Sequence, residues 1–287
     1  MFISVSTHIF VYHEYRDDFL SIVKNSGVNS IEIFSSIPHF PYKNERFVEQ
    51  FLDRCVREGI KVASVHFPLY FHISDIEKNR WTSLCTENEE LRLASVTETV
   101  ESARILNLQA SGILVIHTSF PRRIVTTKRA MLFRDSVNRI LDKLQDGVSL
   151  AVENTTFQST RARAIARLVE SFSSDRIGIC VDVGHANVIE DPAKAIKAAG
   201  TKLLDVHVSD NLGDRDDHLV PGAGSIKWRS VFSTLRDTGY CGPLTLELRD
   251  PHRGKIWDPD LFQSMIEDSI SFIRNHISRE TAFGGLD

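Results

Sequence analysis

Eight short apolar or β-branched runs recur through the whole chain, and this recurrence constrains the fold more than any other feature. They are FISVST (2–7), SIEIF (30–34), VASVHF (62–67), GILVIH (112–117), SLAVEN (149–154), GICVDV (178–183), LDVHVS (204–209) and PLTLEL (243–248). Nearly continuous apolar runs are what a strand needs when both faces of its sheet are covered, as in parallel sheets. Apolar residues at helical spacing lie between them, most clearly in 44–59, 87–107, 127–145, 160–172 and 258–277. Eight strand–helix alternations predict an α/β chain folded as a single (β/α)8 barrel. An open doubly wound sheet competes, but the first run is followed by no glycine-rich turn. Gly27, Gly59, Gly147 and Gly200 each follow a helical pattern and are expected to close it.

A chain of 287 residues fits one barrel with a large core. We expect the barrel over residues 1–278 and a frayed tail over 279–287. Two connections, 68–88 and 210–226, are long enough to act as lids or binding loops. The four cysteines form no CxxC pair, so free thiols in a reducing cytoplasm are expected. The N-terminus lacks the basic and apolar regions of a secretion signal, and no run approaches the ~18 apolar residues of a membrane span.

Ligand-type side chains interrupt the apolar runs near their C-terminal ends. They are His66, His117, Glu153, Asp182, His185, His207 and Glu247, joined by Asp216 and His218 in the loop after the seventh run. In a barrel these ends converge on one mouth. Singly, each has a plain structural role: a core histidine, an ion-pair partner, or, for Asp182, a helix cap. Together they would repel or stay unpaired without cations, because an isolated buried charge costs several kcal/mol. A divalent metal site follows. Mixed carboxylate and imidazole without thiolate suits Mn, Co, Fe, Mg or Zn.

These motifs, in order VENT, VDVGHAN, HVSDN, HLVPGAGSI and LEL, resemble the xylose isomerase-like barrel superfamily, strand by strand over almost the full chain. That superfamily includes sugar isomerases and epimerases, inosose dehydratases and metal-dependent apurinic endonucleases. Resemblance to the epimerase branch implies one metal on Glu153, Asp182, His207 and Glu247. Glu153 and Glu247 would then be the acid/base pair, passing protons through an enediolate, with His185 on the substrate oxygens. His66, His117 and His218 would also line the substrate. Arg215 is the candidate for that branch's anchoring arginine, though not at its offset. Resemblance to the endonuclease branch implies three zinc ions, with His66, His117, His185, Asp216 and His218 as additional ligands.

The segment GVNSIEIF resembles the sugar enzymes, where a strand-end glutamate, here Glu32, begins a sugar-binding wall. Phe67, Tyr70, Phe71 and Trp81 offer an apolar wall against a sugar ring. A net charge of −4 gives no general attraction for nucleic acid. The basic stretches 121–129 and 249–255 are the only local candidates for one. The expected activity is therefore a metal-dependent sugar or polyol isomerase or epimerase. Apurinic endonuclease and inosose-type dehydratase are the alternatives. A small-molecule substrate, no membrane and a homo-oligomer are compatible with the first reading.

Overall fold

The computed structural model describes residues 1–120 and 125–279. Eight strands close a barrel in sequential order: β1 (Phe2–Ser6), β2 (Ser30–Phe34), β3 (Lys61–His66), β4 (Gly112–His117), β5 (Val148–Glu153), β6 (Ile177–Asp182), β7 (Leu203–Val208) and β8 (Pro243–Leu246). Every pairing is parallel, and β8 returns to β1 with Phe2 opposite Pro243. The (β/α)8 barrel expected from the eight runs is the fold.

The helices are α1 (Phe19–Asn25), α2 (Glu45–Glu58), α3 (Glu89–Ser102), α4 (Arg104–Gln109), α5 (Thr127–Leu141), α6 (Ala162–Glu170), α7 (Val183–Ile189), α8 (Pro192–Ala199), α9 (Trp228–Asp237) and α10 (Pro259–Arg279). The pattern over 87–107 reads as one helix but breaks at Ala103. There ψ reaches 0° while Thr99 and Ser102 return hydroxyl bonds to carbonyls of the preceding turn. The short helix α8 lies outside the clearest patterns, yet its signals are local: Asp191 accepts from Lys194 N and Pro192 opens the helix.

Gly59 and Gly200 end their helices with positive φ, as expected, and Gly27 follows α1 in the same region. Gly147 does not, because α5 already ends at Leu141. It is needed for a close approach instead, since a Cβ there would lie 2.1 Å from the Ala110 carbonyl oxygen. The tail expected after Ser278 lies outside the described residues except for Arg279, where α10 ends. Residues 121–124 of the first basic stretch also lie outside them.

The main core fills the space between strands and helices. Phe133, Phe232 and Phe262 are fully buried there, each worth about 2–3 kcal/mol of burial. The lumen is different. Among the described residues, a small apolar cluster there is Val115, Ala151 and Cys180, with Ile113 and Leu204 beside them. Strand alternation then places the next inward residue, two positions on, at the mouth: His117, Glu153 and Asp182. The barrel is thus plugged below and polar above.

Candidate metal centre and active site

The site is built from strand ends. Glu153, Asp182, His207 and Glu247 come from β5, β6, β7 and the residue after β8, and all are buried. One ligand atom from each lies within 4.8 Å of the others. His207 Nδ1 is 2.9 Å from Glu247 Oε2 and 3.5 Å from Glu153 Oε1. Glu153 Oε1, Asp182 Oδ2, His207 Nδ1 and Glu247 Oε2 make no hydrogen bond although buried. Unpaired buried polar atoms are costly. Four of them converging is the arrangement a cation resolves, so the residues fit a divalent metal.

Two further groups flank this one. His66, His117 and Glu153 form the first, with His117 Nε2 3.0 Å and His66 Nε2 3.1 Å from Glu153 Oε2. His185, Asp216 and His218 form the second, with Asp216 Oδ2 2.8 Å from His218 Nε2 and 3.4 Å from His185 Nε2. All nine sequence-selected ligands are therefore brought together. Arg215 is not: it is exposed and pairs with Asp217 at 2.7 Å. Among the described residues, Arg249 is an arginine that reaches the mouth, 3.8 Å from Asp216 Oδ2. It directly follows the last strand-end run, which is the signal that would have found it.

The imidazoles are oriented from behind. His66, His185 and His218 each turn Nδ1 to a backbone carbonyl, of Phe67, Asn154 and Glu247 respectively, at 2.8–2.9 Å. With Nδ1 held from behind, Nε2 faces the carboxylates of the mouth. His207 is reversed: Nε2 meets Glu32 Oε2 at 3.2 Å, which leaves Nδ1 as the ligand atom. Glu32 is thus fully buried beneath His207 and also accepts from Ser64 Oγ at 2.9 Å. It neither faces solvent nor begins a sugar wall. Alternation along β2 sets this direction, since Ile31 and Ile33 pack in the outer core and Glu32 between them points into the lumen.

Local motifs have structural reasons as well. Asp182 caps α7 through Oδ1, accepting from His185 N at 2.6 Å, and so keeps Oδ2 for the mouth. Asn154 bridges β5 to Asp182 with both amide atoms. Asp210 organises the HLVPGAGSI loop, accepting from the backbone N–H of Asn211, Gly222 and Ile226 and from Trp228 Nε1.

Electrostatics carries the same message. Burial opposes charge on Glu153, yet His207 and His117 hold its carboxyl well below the ordinary range. Burial, reinforced by Glu153 and Glu247, pushes Asp182 up to about 7. Burial is overcome at His185 by Asp182 and Asp216, and at His207 by Cys180 and then Glu32, Glu153 and Glu247, so both rise well above an ordinary imidazole. The carboxylates demand nearby positive charge, which protons supply when a metal does not.

A profile of the xylose isomerase-like TIM barrel family matches residues 20–276. The chain belongs to that family. The uncharacterised y4fM protein of Sinorhizobium fredii is 34% identical over 108 residues, 36% of this chain and 34% of its own. The D-psicose 3-epimerase of Enterocloster bolteae is 36% identical over 80 residues, 28% of this chain and 25% of its own. The match thus spans 34% and 25% of the lengths of these two curated relatives. Among solved structures, the IOLI protein with a bound zinc atom superposes with a TM-score of 0.78 at 17% identity, over 97% of this chain and 99% of that one. Epimerases are thus among the relatives of this member of the family. Among the described residues, no helix is long and apolar enough to cross a membrane.

Proposed function

We propose that the chain is a divalent-metal-dependent isomerase or epimerase of a sugar or polyol. The observation that carries this reading is the convergence of four buried ligand atoms that make no hydrogen bond, on Glu153, Asp182, His207 and Glu247, at the mouth of a closed barrel. The sequence similarity to a D-psicose 3-epimerase supports the substrate class. Held by these four residues, a divalent ion such as Mn, Mg, Co or Zn would supply Lewis-acid polarisation of a carbonyl and its neighbouring hydroxyl.

The chain's own residues do the rest. Glu153 and Glu247 come from strands on opposite sides of His207, so one takes a proton from the carbon beside the carbonyl while the other returns one. His185 and Arg249 present N–H donors to substrate oxygens. His66, His117 and His218 close the sides of the mouth, and burial keeps bulk water from the exchanged proton.

A second reading has its own support. The two flanking groups complete a nine-ligand set in three clusters, the arrangement a trinuclear phosphodiester hydrolase requires. The two readings separate in one experiment. Protein purified without added metal is assayed for metal per chain, then reconstituted with Mn or Zn and offered ketoses, polyols and an abasic duplex. About one metal and turnover of a ketose or polyol supports the isomerase. Two to three zinc ions with strand nicking overturns it in favour of the hydrolase.

A further inference from the structure

A cavity of about 440 Å³ opens beside the metal cluster, between the loops that follow β3, β4 and β5. His117 is shared by both, since its ring lies 3.0 Å from Glu153 Oε2 and also lines the cavity. Phe67, Trp81, Phe120 and Phe157 form aromatic walls, and Ser83, Ser119 and Thr155 add hydroxyls between them. No described lining side chain is a carboxylate, a lysine or an arginine. The volume lies within the usual range for small-molecule sites, and Glu153, Asp182, His207 and Glu247 are not among its lining residues.

The cavity is preformed. Trp81 is 43% exposed, yet its loop is fixed. Its Nε1 donates to Asn79, and Thr82 bonds the Pro68 and Leu69 carbonyls at 2.7 and 3.0 Å. Across the cavity, the Cys85 thiol donates to the Ser119 carbonyl at 3.0 Å, tying the β3 loop to the β4 loop. Ser119 is held at φ 54°, a conformation that a non-glycine residue adopts only when its surroundings impose it. A large exposed indole on a pinned loop, facing further rings and hydroxyls, is how a protein presents flat apolar faces and polar edges to a sugar ring.

Resting on the isomerase reading, we propose that this cavity holds a second hexopyranosyl ring. The substrate is then a disaccharide with a free ketose end rather than a lone ketose. The ketose occupies the mouth at Glu153 and Glu247, and the uncharged glycosyl ring passes His117 to lie against Trp81 and Phe157.

The test is calorimetric binding to the Mn-loaded protein, with D-fructose compared against turanose, maltulose and isomaltulose, which join glucose to different ketose carbons. At least one disaccharide is expected to bind about tenfold more tightly than D-fructose, the scale of one well-placed aromatic contact. Trp81→Ala and Phe157→Ala should each erase most of that advantage while affecting D-fructose less. Equal affinity for fructose and all three disaccharides would overturn the proposal, as would equal losses for both in a variant with unchanged circular dichroism. Binding of no ketose, with nicking of an abasic duplex, would instead overturn the isomerase reading and this proposal with it.

Discussion

Glu32 Oε2 lies 3.2 Å from His207 Nε2 at the floor of the candidate metal site, with both side chains fully buried. A carboxylate behind a ligating imidazole fixes its tautomer and raises its basicity. Glu32→Gln removes the charge, and Glu32→Ala removes the acceptor and leaves Ser64 Oγ without this partner. Both should weaken divalent-metal affinity about 10- to 100-fold in a chelator competition. Far-UV circular dichroism should not change. Affinity within twofold of the parent in both variants would remove Glu32 from the metal's support.

This pair also marks the limit of what the sequence conveys. Strand-end histidines and acids stand out because they interrupt apolar runs, and the barrel topology then forces them into one mouth. Glu32 alternates with Ile31 and Ile33 of the outer core, so period 2 turns it inward, but no such pattern encodes its depth beneath His207. Asp205, buried below His207 and bonded to Thr245 at 2.9 Å, was missed for a related reason. Two residues before His207 on β7, it shares that inward face one layer deeper. Arg215 and Arg249 show the same limit in loops, since composition places both near the mouth and only the backbone path sends one outward.

Glu247→Gln should abolish turnover, by about a thousandfold or more, because it removes both a proton-transferring group and a ligand charge. Metal should still be measurable on the protein, held by Glu153, Asp182 and His207. Steady-state rates on the first substrate found, beside metal analysis of the same sample, provide the check. Near-normal turnover would sink the acid/base assignment.

His218→Ala separates the one-metal and three-metal accounts. In the isomerase, His218 only lines the substrate beside Asp216, so metal content should stay at the parent value and kcat/KM should fall about tenfold. Loss of one metal per chain, together with loss of strand nicking, would identify His218 as a ligand of a multinuclear site.

Acid should destabilise the protein partly through His39. This ring is 1% exposed and bonds Thr7 Oγ1 and the His13 carbonyl. Burial brings its pKa down to about 4 from 6.5. The unfolded chain therefore takes up a proton below pH 6.5 that the folded one refuses. The stabilising contribution is complete above pH 6.5 and is lost as pH falls toward 4, by about 3 kcal/mol at most. Urea midpoints measured from pH 7 to pH 4.5 should fall less steeply in His39→Asn than in the parent. Parallel slopes would mean that His39 is not the group responsible.

Asp210 links the fold to the site. Its two carboxylate oxygens accept four donors, three from the loop backbone and one from the Trp228 indole, and the side chain is fully buried. Asp210→Ala would leave those donors without their acceptor, at a cost of about 3 kcal/mol or more. The segment it holds carries Asp216 and His218, so the damage should appear at the mouth as well as in global stability. Limited proteolysis should cut within residues 210–226 in the variant before any other site, and the urea midpoint should fall. Asp210→Asn keeps one carbonyl acceptor and should lie between the two. If Asp210→Ala resists proteolysis at the parent midpoint, the loop is held by its packing alone, and the aspartate of the HVSDN motif owes its place to something other than these bonds.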